Sequence, residues 1–84
     1  MEKEIGQIIH FYNRISVAVL DLADTLSFGD KIHITGHTTD FIQKVNSMEI
    51  DHQKVESAGP EDEVALKVIE PVRDGDTIYK IIIG

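Results

Sequence analysis

One short phrase occurs three times in this chain, and each copy combines a turn with the start of a strand. It reads Leu-x-x-Gly-Asp-x-Ile at residues 26–32, Val-x-x-Gly-Asp-x-Ile at residues 72–78 and, more weakly, Ala-x-x-Glu-Asp-x-Val at residues 58–64. Glycine adopts positive φ without a steric penalty, so the backbone can reverse sharply at Gly29 and Gly75. Apolar and polar residues alternate after these turns, as in a half-buried strand. Three such units in 84 residues predict a small barrel of β-strands.

The choice of apolar side chains favours the same fold class. Thirteen isoleucines and seven valines stand against four leucines. Side chains branched at Cβ are stiff at χ1, which favours sheet over helix. A chain of this length is also too short to build two cores. We therefore predict an all-β fold, a small closed antiparallel β-barrel of about six strands that forms a single domain over residues 1–84.

Alternation of apolar and polar residues places the strands. The segments with this pattern are Ile5–Tyr12, Ile15–Leu22, Asp30–Thr35, Phe41–Asp51, Val64–Ile69 and Thr77–Ile83. In the second segment the apolar phase changes at Leu20, and in the fourth it changes at Asn46-Ser47, which predicts a β-bulge in each. The last segment is so rich in isoleucine that we expect both of its faces to be covered. No segment has the pattern of a helix.

The charge of the chain limits the classes of partner. Fifteen acidic residues against eight basic ones give a formal charge of −7. Phosphate backbones attract proteins through lysine and arginine, so this balance argues against DNA binding and against an anionic membrane surface. Seven carboxylates lie between Glu56 and Asp76. They are either solvated turns or a docking face for a basic partner.

The first residues, the lengths of the apolar runs and the lack of cysteine indicate where in the cell the protein is located. With no cysteine, the chain can have no disulfide, no thiol nucleophile and no thiolate metal site. The first four residues, Met-Glu-Lys-Glu, are too charged to open a signal peptide, and no apolar run approaches the length of a membrane span. We expect a cytoplasmic protein.

No group of residues predicts catalysis. His33 and His37 are four residues apart, with His10, Asp40 and His52 as further candidate ligands. That spacing would bring two imidazoles together on a helix, but here it crosses from a strand into a turn, so we predict no metal site. The four serines lack a nucleophile-elbow setting, and the carboxylates that flank Gly75 show no sign of shared burial. We expect neither a cofactor nor an enzymatic activity.

The first predicted turn offers one candidate contact site. Small barrels often bind single-stranded nucleic acid with aromatic side chains beside basic ones. Phe11, Tyr12 and Arg14 could form such a patch for RNA or for another partner. The alternative is that Phe11 belongs to the core and Tyr12 is half-buried.

The order of these motifs resembles a known family. The residues that carry the likeness are Gly6-x-Ile8, residues 26–36, Val45-x-Ser47-Met48-x-Ile50, Ala58, Asp62-x-Val64-x-Leu66 and Gly75-Asp76-x-Ile78. They look like the β-barrel second domain of the translational GTPases, such as elongation factor Tu, and most of all like the small stand-alone elongation factor-like proteins. A similar module is appended to the U32 family of collagenase-like peptidases.

Departures from the family pattern limit what the likeness implies. The chain lacks the glycine-rich phosphate loop, so it is not itself a GTPase. Only residues 1–5 precede Gly6, which leaves out most of the family's pocket wall for the aminoacyl end of tRNA. Where the family has glycine before Asp62 this chain has Glu61, so we expect Gly59 or Pro60 to shape that turn. The likeness therefore implies the fold and no binding residues.

Three functions follow as expectations. The first is a non-catalytic binding module that docks onto a protein or ribonucleoprotein partner. The second is a protein that binds the end of a tRNA or another RNA. The third is a detached accessory domain of a U32-like peptidase or of an RNA-modifying enzyme. A homodimer is a further expectation, because isoleucines at the end of the chain could be exposed.

Overall fold

The computed structural model describes residues 1–83, and all regular elements of this part of the chain are strands. These are β1 (Glu2–Tyr12), β2 (Val17–Leu22), β3 (Leu26–Ser27), β4 (Lys31–Thr35), β5 (Asp40–Lys44), β6 (Met48–Ile50), β7 (Gln53–Lys54), β8 (Ser57–Ala58), β9 (Glu63–Lys67) and β10 (Thr77–Ile81). Every strand pair is antiparallel. The all-β antiparallel prediction is confirmed. No helix in residues 1–83 is long and apolar enough to cross a membrane.

The predicted closed barrel is wrong, because the main sheet is open. Its eight strands run in the order β5-β4-β10-β1-β2-β9-β6-β7, and β3 pairs with β8 in a separate two-stranded sheet. Within residues 1–83 no ladder joins β5 to the other end of the sheet. Within the described residues the main sheet therefore has two edges, β5 and β7, where a closed barrel would have none.

A side chain spans part of the gap that a ladder would have filled. Gln43 on β5 is buried, and its Nε2 donates to the carbonyl of Lys67 at 3.0 Å. Its Oε1 accepts the backbone N–H of Ile69 at 2.9 Å. The amide of Gln43 thus makes the two bonds that a neighbouring strand would make, and it connects β5 to the end of β9.

The bulges lie elsewhere than predicted. The ladder of β2 with β9 is regular from Val17 to Asp21, so the phase change at Leu20 is not a bulge in β2. Register shifts occur instead in β1, between Glu4 and Gly6 against β10 and between Ile8 and His10 against β2. The predicted long strand Phe41–Asp51 is also interrupted, since Val45–Ser47 separates β5 from β6.

The last strand lies inside the sheet. β10 pairs with β4 on one side and with β1 on the other. Its Ile78 is fully buried, while Ile82 and Ile83 beyond the strand are exposed. The core is apolar and comes from all parts of the chain: Ile5, Ile8, Ala18, Leu20, Leu22, Leu26, Ile32, Ile34, Phe41, Val45, Met48, Ala58, Val64, Leu66, Val68, Val72 and Ile78.

The three sequence repeats form three copies of one turn. In each copy an aspartate carboxylate accepts the backbone N–H of the residue three positions earlier, at 2.8 Å for Asp30, 2.9 Å for Asp62 and 2.8 Å for Asp76. The N–H of the same aspartate donates back to that residue's carbonyl, at 3.0, 3.1 and 3.0 Å. Two bonds between one pair of residues close each turn.

The middle turn carries a strained residue. Gly29 and Gly75 precede their aspartates with φ of 89° and 91°, and Glu61 takes the same place with φ of 74°. Gly59 and Pro60 occupy the first two positions of this turn, as expected, but the positive φ falls on Glu61. Pro60 stands before the positive-φ residue, as in a type II turn. A residue with a Cβ atom pays about 1–2 kcal/mol for that conformation.

Replacing Glu61 by glycine should therefore stabilise the protein. Glu61→Gly removes the strain, and part of the gain is lost to the greater freedom of glycine in the unfolded chain. We expect a net rise in melting temperature of about 5 °C. Glu70→Gly is the control, since Glu70 is exposed and its φ is not positive. A melting temperature that falls for both variants would contradict the assignment of strain.

A second glycine makes room for the buried carboxylate of Asp76. Gly36 follows β4, and a Cβ atom built on it would collide with Oδ1 of Asp76. Asp76 is buried and its Oδ2 closes the third turn. The approach of that carboxylate to the backbone therefore requires glycine at position 36.

The variant Gly36→Ala should be destabilised by about 1–3 kcal/mol, because the added methyl group displaces Asp76 from its turn. Gly59→Ala is the matched control, since a Cβ atom there meets nothing within 4 Å. Urea denaturation of both variants measures the difference. Equal midpoints for the two variants would show that Asp76 can move without loss.

Candidate functional site

The β1–β2 hairpin projects an exposed, partly apolar tip. Phe11 pairs with Ala18 and Tyr12 with Val17, so the loop between the two strands is Asn13–Ser16. The side chain of Tyr12 is 52% exposed and that of Ile15 is 56% exposed. Large apolar side chains that remain in water at a hairpin tip are candidates for contact with a partner.

Bonds from the end of β9 fix this loop. Lys67 Nζ donates to the carbonyl of Ile15 at 2.6 Å, and the N–H of Val68 donates to the carbonyl of Ser16 at 2.9 Å. Ser16 has a φ of 55°, a conformation that a residue with a Cβ atom adopts at a cost. The two bonds hold the strained loop in place, so the tip is shaped before any partner binds.

A groove of about 460 Å³ begins beside the tip and crosses the outer face of β2, β9 and β6. We call it the hairpin groove, and its lining residues are Tyr12, Ile15, Val17, Ser47, Glu49, His52, Ala65 and Lys67. The strand registers bring them together, because Val17 lies opposite Lys67 and Glu49 lies opposite Ala65. Its floor is therefore apolar, and its charged groups stand at the sides.

The far end of the hairpin groove is also strained. Asp51 and His52 connect β6 to β7 and have φ of 52° and 65°. Two central residues with positive φ are typical of a type I′ hairpin turn, where asparagine and glycine are the usual residues. The pairing of β6 with β7 holds this strained turn in place, and His52 lines the groove from it. Strain of this kind concentrates at functional sites.

The three residues of the predicted contact patch lie around the hairpin tip and differ in exposure. Tyr12 faces outward on β1 with its ring edge-on to His10, and the ring centroids are 4.4 Å apart. Phe11 is half-buried and packs against the core. Arg14 lies in the loop, and all three line a second, shallower hollow around the tip together with Asn13 and Ile15.

Most residues of the hairpin groove carry no signal in the sequence. Val17 and Lys67 are 50 positions apart, and only the register of β2 on β9 makes them neighbours. One feature of the sequence did point to the groove: Val17 and Val19 are apolar although they alternate with the buried residues of β2 and so lie on its outer face. His52 was considered as a metal ligand, and its actual setting is the groove.

A separate polar cluster joins three strands. His33 on β4 is bonded through Nδ1 to Glu2 Oε1 at 2.9 Å and through Nε2 to Asp40 Oδ1 at 2.6 Å. The bond to Asp40, followed by that to Glu2, raises the pKa of His33 above its usual value. The two ring nitrogens point to opposite sides, so the two carboxylates cannot converge on one ion. Among residues 1–83 no group of three histidine or carboxylate side chains is arranged to hold a metal.

The acidic segment Glu56–Asp76 does not form one face. Asp62 and Asp76 turn their carboxylates to backbone N–H groups of their own turns. Glu63 lies on β9 and is exposed. These carboxylates therefore have different surroundings, and at least two of them act within the fold.

Stability should depend on pH through His33. Because its folded pKa is raised, protonation stabilises the fold fully below the unfolded value of about 6.5, and this contribution is lost as pH rises through the folded pKa. The melting temperature of the wild type minus that of His33→Gln should therefore shrink from pH 6 to pH 8. Glu2→Gln combined with Asp40→Asn should shrink the same difference. Parallel pH profiles for the wild type and His33→Gln would contradict this assignment.

Known proteins resemble this chain over most of its length, although no known family profile matches it. The uncharacterized protease of Methanocaldococcus jannaschii is 42% identical over 77 residues, which are 90% of this chain and 19% of the relative. A collagenase of Porphyromonas gingivalis is 36% identical over 78 residues, which are 90% of this chain and 22% of that protein. The chain therefore spans about a fifth of the length of the curated relatives that it matches.

Solved structures share the fold. The C-terminal domain of a Geobacillus thermoleovorans protein assigned to the U32 peptidases superposes with a TM-score of 0.88 at 17% identity, over 95% of this chain and 93% of that one. The selenomethionine variant of the same domain gives a TM-score of 0.88 over 93% and 99% of the two chains. At this identity the likeness shows the fold alone.

The relatives are named as proteases, and the structural neighbours are a peptidase domain. The elongation-factor resemblance is wrong. Much of it rested on the repeated Gly-Asp phrase, and the structure explains that phrase by turn closure: the glycine supplies positive φ and the aspartate bonds a backbone N–H. Such turns serve any small β fold. The same residues also resemble the module appended to the U32 peptidases, and the relatives support that likeness.

Proposed function

We propose that this chain acts as a non-catalytic accessory domain that works with a peptidase of the U32 type. The observation that carries the proposal is the 42% identity over 90% of this chain to a segment that makes up 19% of a protease. The shared fold with the C-terminal domain of a U32 peptidase supports the accessory role. A domain of this size has its own hydrophobic core, and where it is joined to a larger protein it also has a surface that contacts the rest of that protein.

The polar residues of the fold are consistent with a binding role. The carboxylates of Asp30, Asp62 and Asp76 close turns, and both nitrogens of His33 are bonded to carboxylates. The groups that could act as general acids or bases at these places serve the fold instead. The hairpin groove, in contrast, offers apolar area and exposed side chains, which are the usual means of protein recognition.

We further propose that the hairpin groove is the surface that contacts the peptidase. A protein surface fits the groove better than RNA does, because a formal charge of −7 repels phosphate. Tyr12 and Ile15 would enter a pocket on the peptidase, since exposed aromatic and large aliphatic groups carry most of the energy of such contacts. The pre-shaped loop lowers the ordering cost of binding.

Calorimetry can test this with the M. jannaschii protease from which the matching segment has been deleted. We expect the purified chain to bind the truncated protease, and Ile15→Ser to weaken binding by about tenfold or more. Ile69→Ser is the matched control, because Ile69 is 64% exposed and lies outside the hairpin groove. Equal loss of affinity in both variants would overturn the choice of surface. A titration without heat at any attainable concentration would overturn the accessory role.

A second readout uses the P. gingivalis collagenase with its own matching segment removed. Adding this chain should raise the hydrolysis of gelatin by the truncated collagenase, and the Ile15→Ser variant should raise it less. Gelatin hydrolysis by this chain alone would contradict the non-catalytic role.

A further inference from the structure

Two carboxylates face each other on the outer side of the main sheet. Asp21 on β2 lies opposite Glu63 on β9, and both residues are exposed. The N–H of Val68 donates to the carbonyl of Ser16, and hydrogen-bonded pairs alternate along an antiparallel ladder. Asp21 and Glu63 therefore form a pair of the non-hydrogen-bonded kind, in which the side chains are closer together. Like charges in that position destabilise a ladder.

A third carboxylate lies on the same face. Glu49 on β6 is half-buried and lies opposite Ala65, which follows Glu63 on the outer phase of β9. The ion pairs of residues 1–83 include neither Glu49 nor the two facing carboxylates, although Lys54 lies opposite Glu49 across the β6–β7 pair. This face therefore carries three negative charges without an ion-pair partner in the described part of the chain.

An apolar floor leads from these carboxylates to the hairpin tip. Val17 and Val19 are half-buried on the outer phase of β2, and Val19 lies opposite Ala65. Val17 and Ala65 line the hairpin groove, and the small side chain of alanine leaves space above the strands. The amine of Lys67 is turned to the tip, because its Nζ donates to the carbonyl of Ile15 at 2.6 Å. The groove thus has a basic group at one end and carboxylates near the other.

We propose that the hairpin groove accepts an arginine side chain, which the peptidase partner supplies. The methylene groups of the arginine lie on Val19 and Ala65, since a long basic side chain buries its stem on apolar surface and keeps its charge at the edge. The guanidinium lies between Asp21 and Glu63. Its five N–H donors form a planar fork that can bond both carboxylates, whereas the ammonium of lysine is a compact charge. Its positive charge also removes the repulsion between them.

Charge selects this occupant. The formal charge of −7 attracts a basic surface, and complementary charges speed association and fix the register of a complex. Arginine is enriched at protein interfaces and among the residues that carry most of the binding energy. The source of the arginine rests on the proposed function, whereas the chemistry of the groove does not. Two experiments separate them.

Nuclear magnetic resonance titration of the isotope-labelled full chain tests the groove without the peptidase. The probe is the capped peptide Gly-Ser-Arg-Ser-Gly, and its matched control carries citrulline, which has a similar shape and no charge, in place of arginine. We expect the arginine peptide to shift the amide signals of Val19, Glu63 and Ala65 in a saturable way. The citrulline peptide should bind about fivefold more weakly or worse. Absence of saturable shifts, or equal binding of the two peptides, would overturn the proposal.

Two double variants assign the preference to the facing carboxylates. Asp21→Asn combined with Glu63→Gln should abolish the preference for arginine over citrulline. Glu70→Gln combined with Asp74→Asn removes the same amount of charge from exposed residues outside the hairpin groove and should keep it. The first variant should also melt slightly higher than the wild type, because the repulsion is gone. A preference that survives in the first variant, or is lost equally in both, would contradict the assignment.

Calorimetry with the truncated M. jannaschii protease then tests the source of the arginine. Asp21→Asn combined with Glu63→Gln should weaken binding of the protease by about tenfold and reduce its dependence on salt. If the arginine peptide binds and the truncated protease does not, the proposed function falls and the arginine groove stands. If the protease binds the wild type and this variant equally, the proposed function stands and the arginine groove is overturned.

Discussion

The fold depends on one local interaction that the chain uses three times. An aspartate carboxylate accepts the N–H of the residue three positions earlier, at Asp30, Asp62 and Asp76, and each bond closes a turn. A strand begins soon after each turn, so these turns set where β4, β9 and β10 enter the main sheet. Burial of the core then follows from the order in which those strands arrive. Local chemistry of the backbone thus positions contacts that are distant in sequence.

Much of the fold could be predicted, because its signals are local. The turn phrase and the alternation of Ile32 with Ile34 depend on neighbouring residues, and both residues are fully buried. The sequence did not reveal that the main sheet stays open, because closure into a barrel depends on which strands carry the bulges. Alternation located a bulge near Leu20, whereas β1 carries the irregular register. A break in apolar phase shows which side chains are inside, but it does not show which strand bends.

The candidate site was less accessible to prediction than the fold. Of the predicted contact residues Phe11, Tyr12 and Arg14, Tyr12 alone lines the hairpin groove. The floor of the hairpin groove comes from three strands, and it exists only once Val17 lies opposite Lys67. The resemblance to the elongation factors was wrong for a related reason. Residues that close turns are shared by unrelated functions, so they identify a way of folding more securely than a biological role.

The amide of Gln43 has a consequence for motion. Two hydrogen bonds from one side chain join β5 to the end of β9, where a continuous ladder would have joined them with many. Parting the sheet at this seam loses only those bonds, together with the packing around them, and every strand keeps its ladder. The seam between β5 and the end of β9 is therefore the line along which the open sheet can part at the lowest cost in hydrogen bonds.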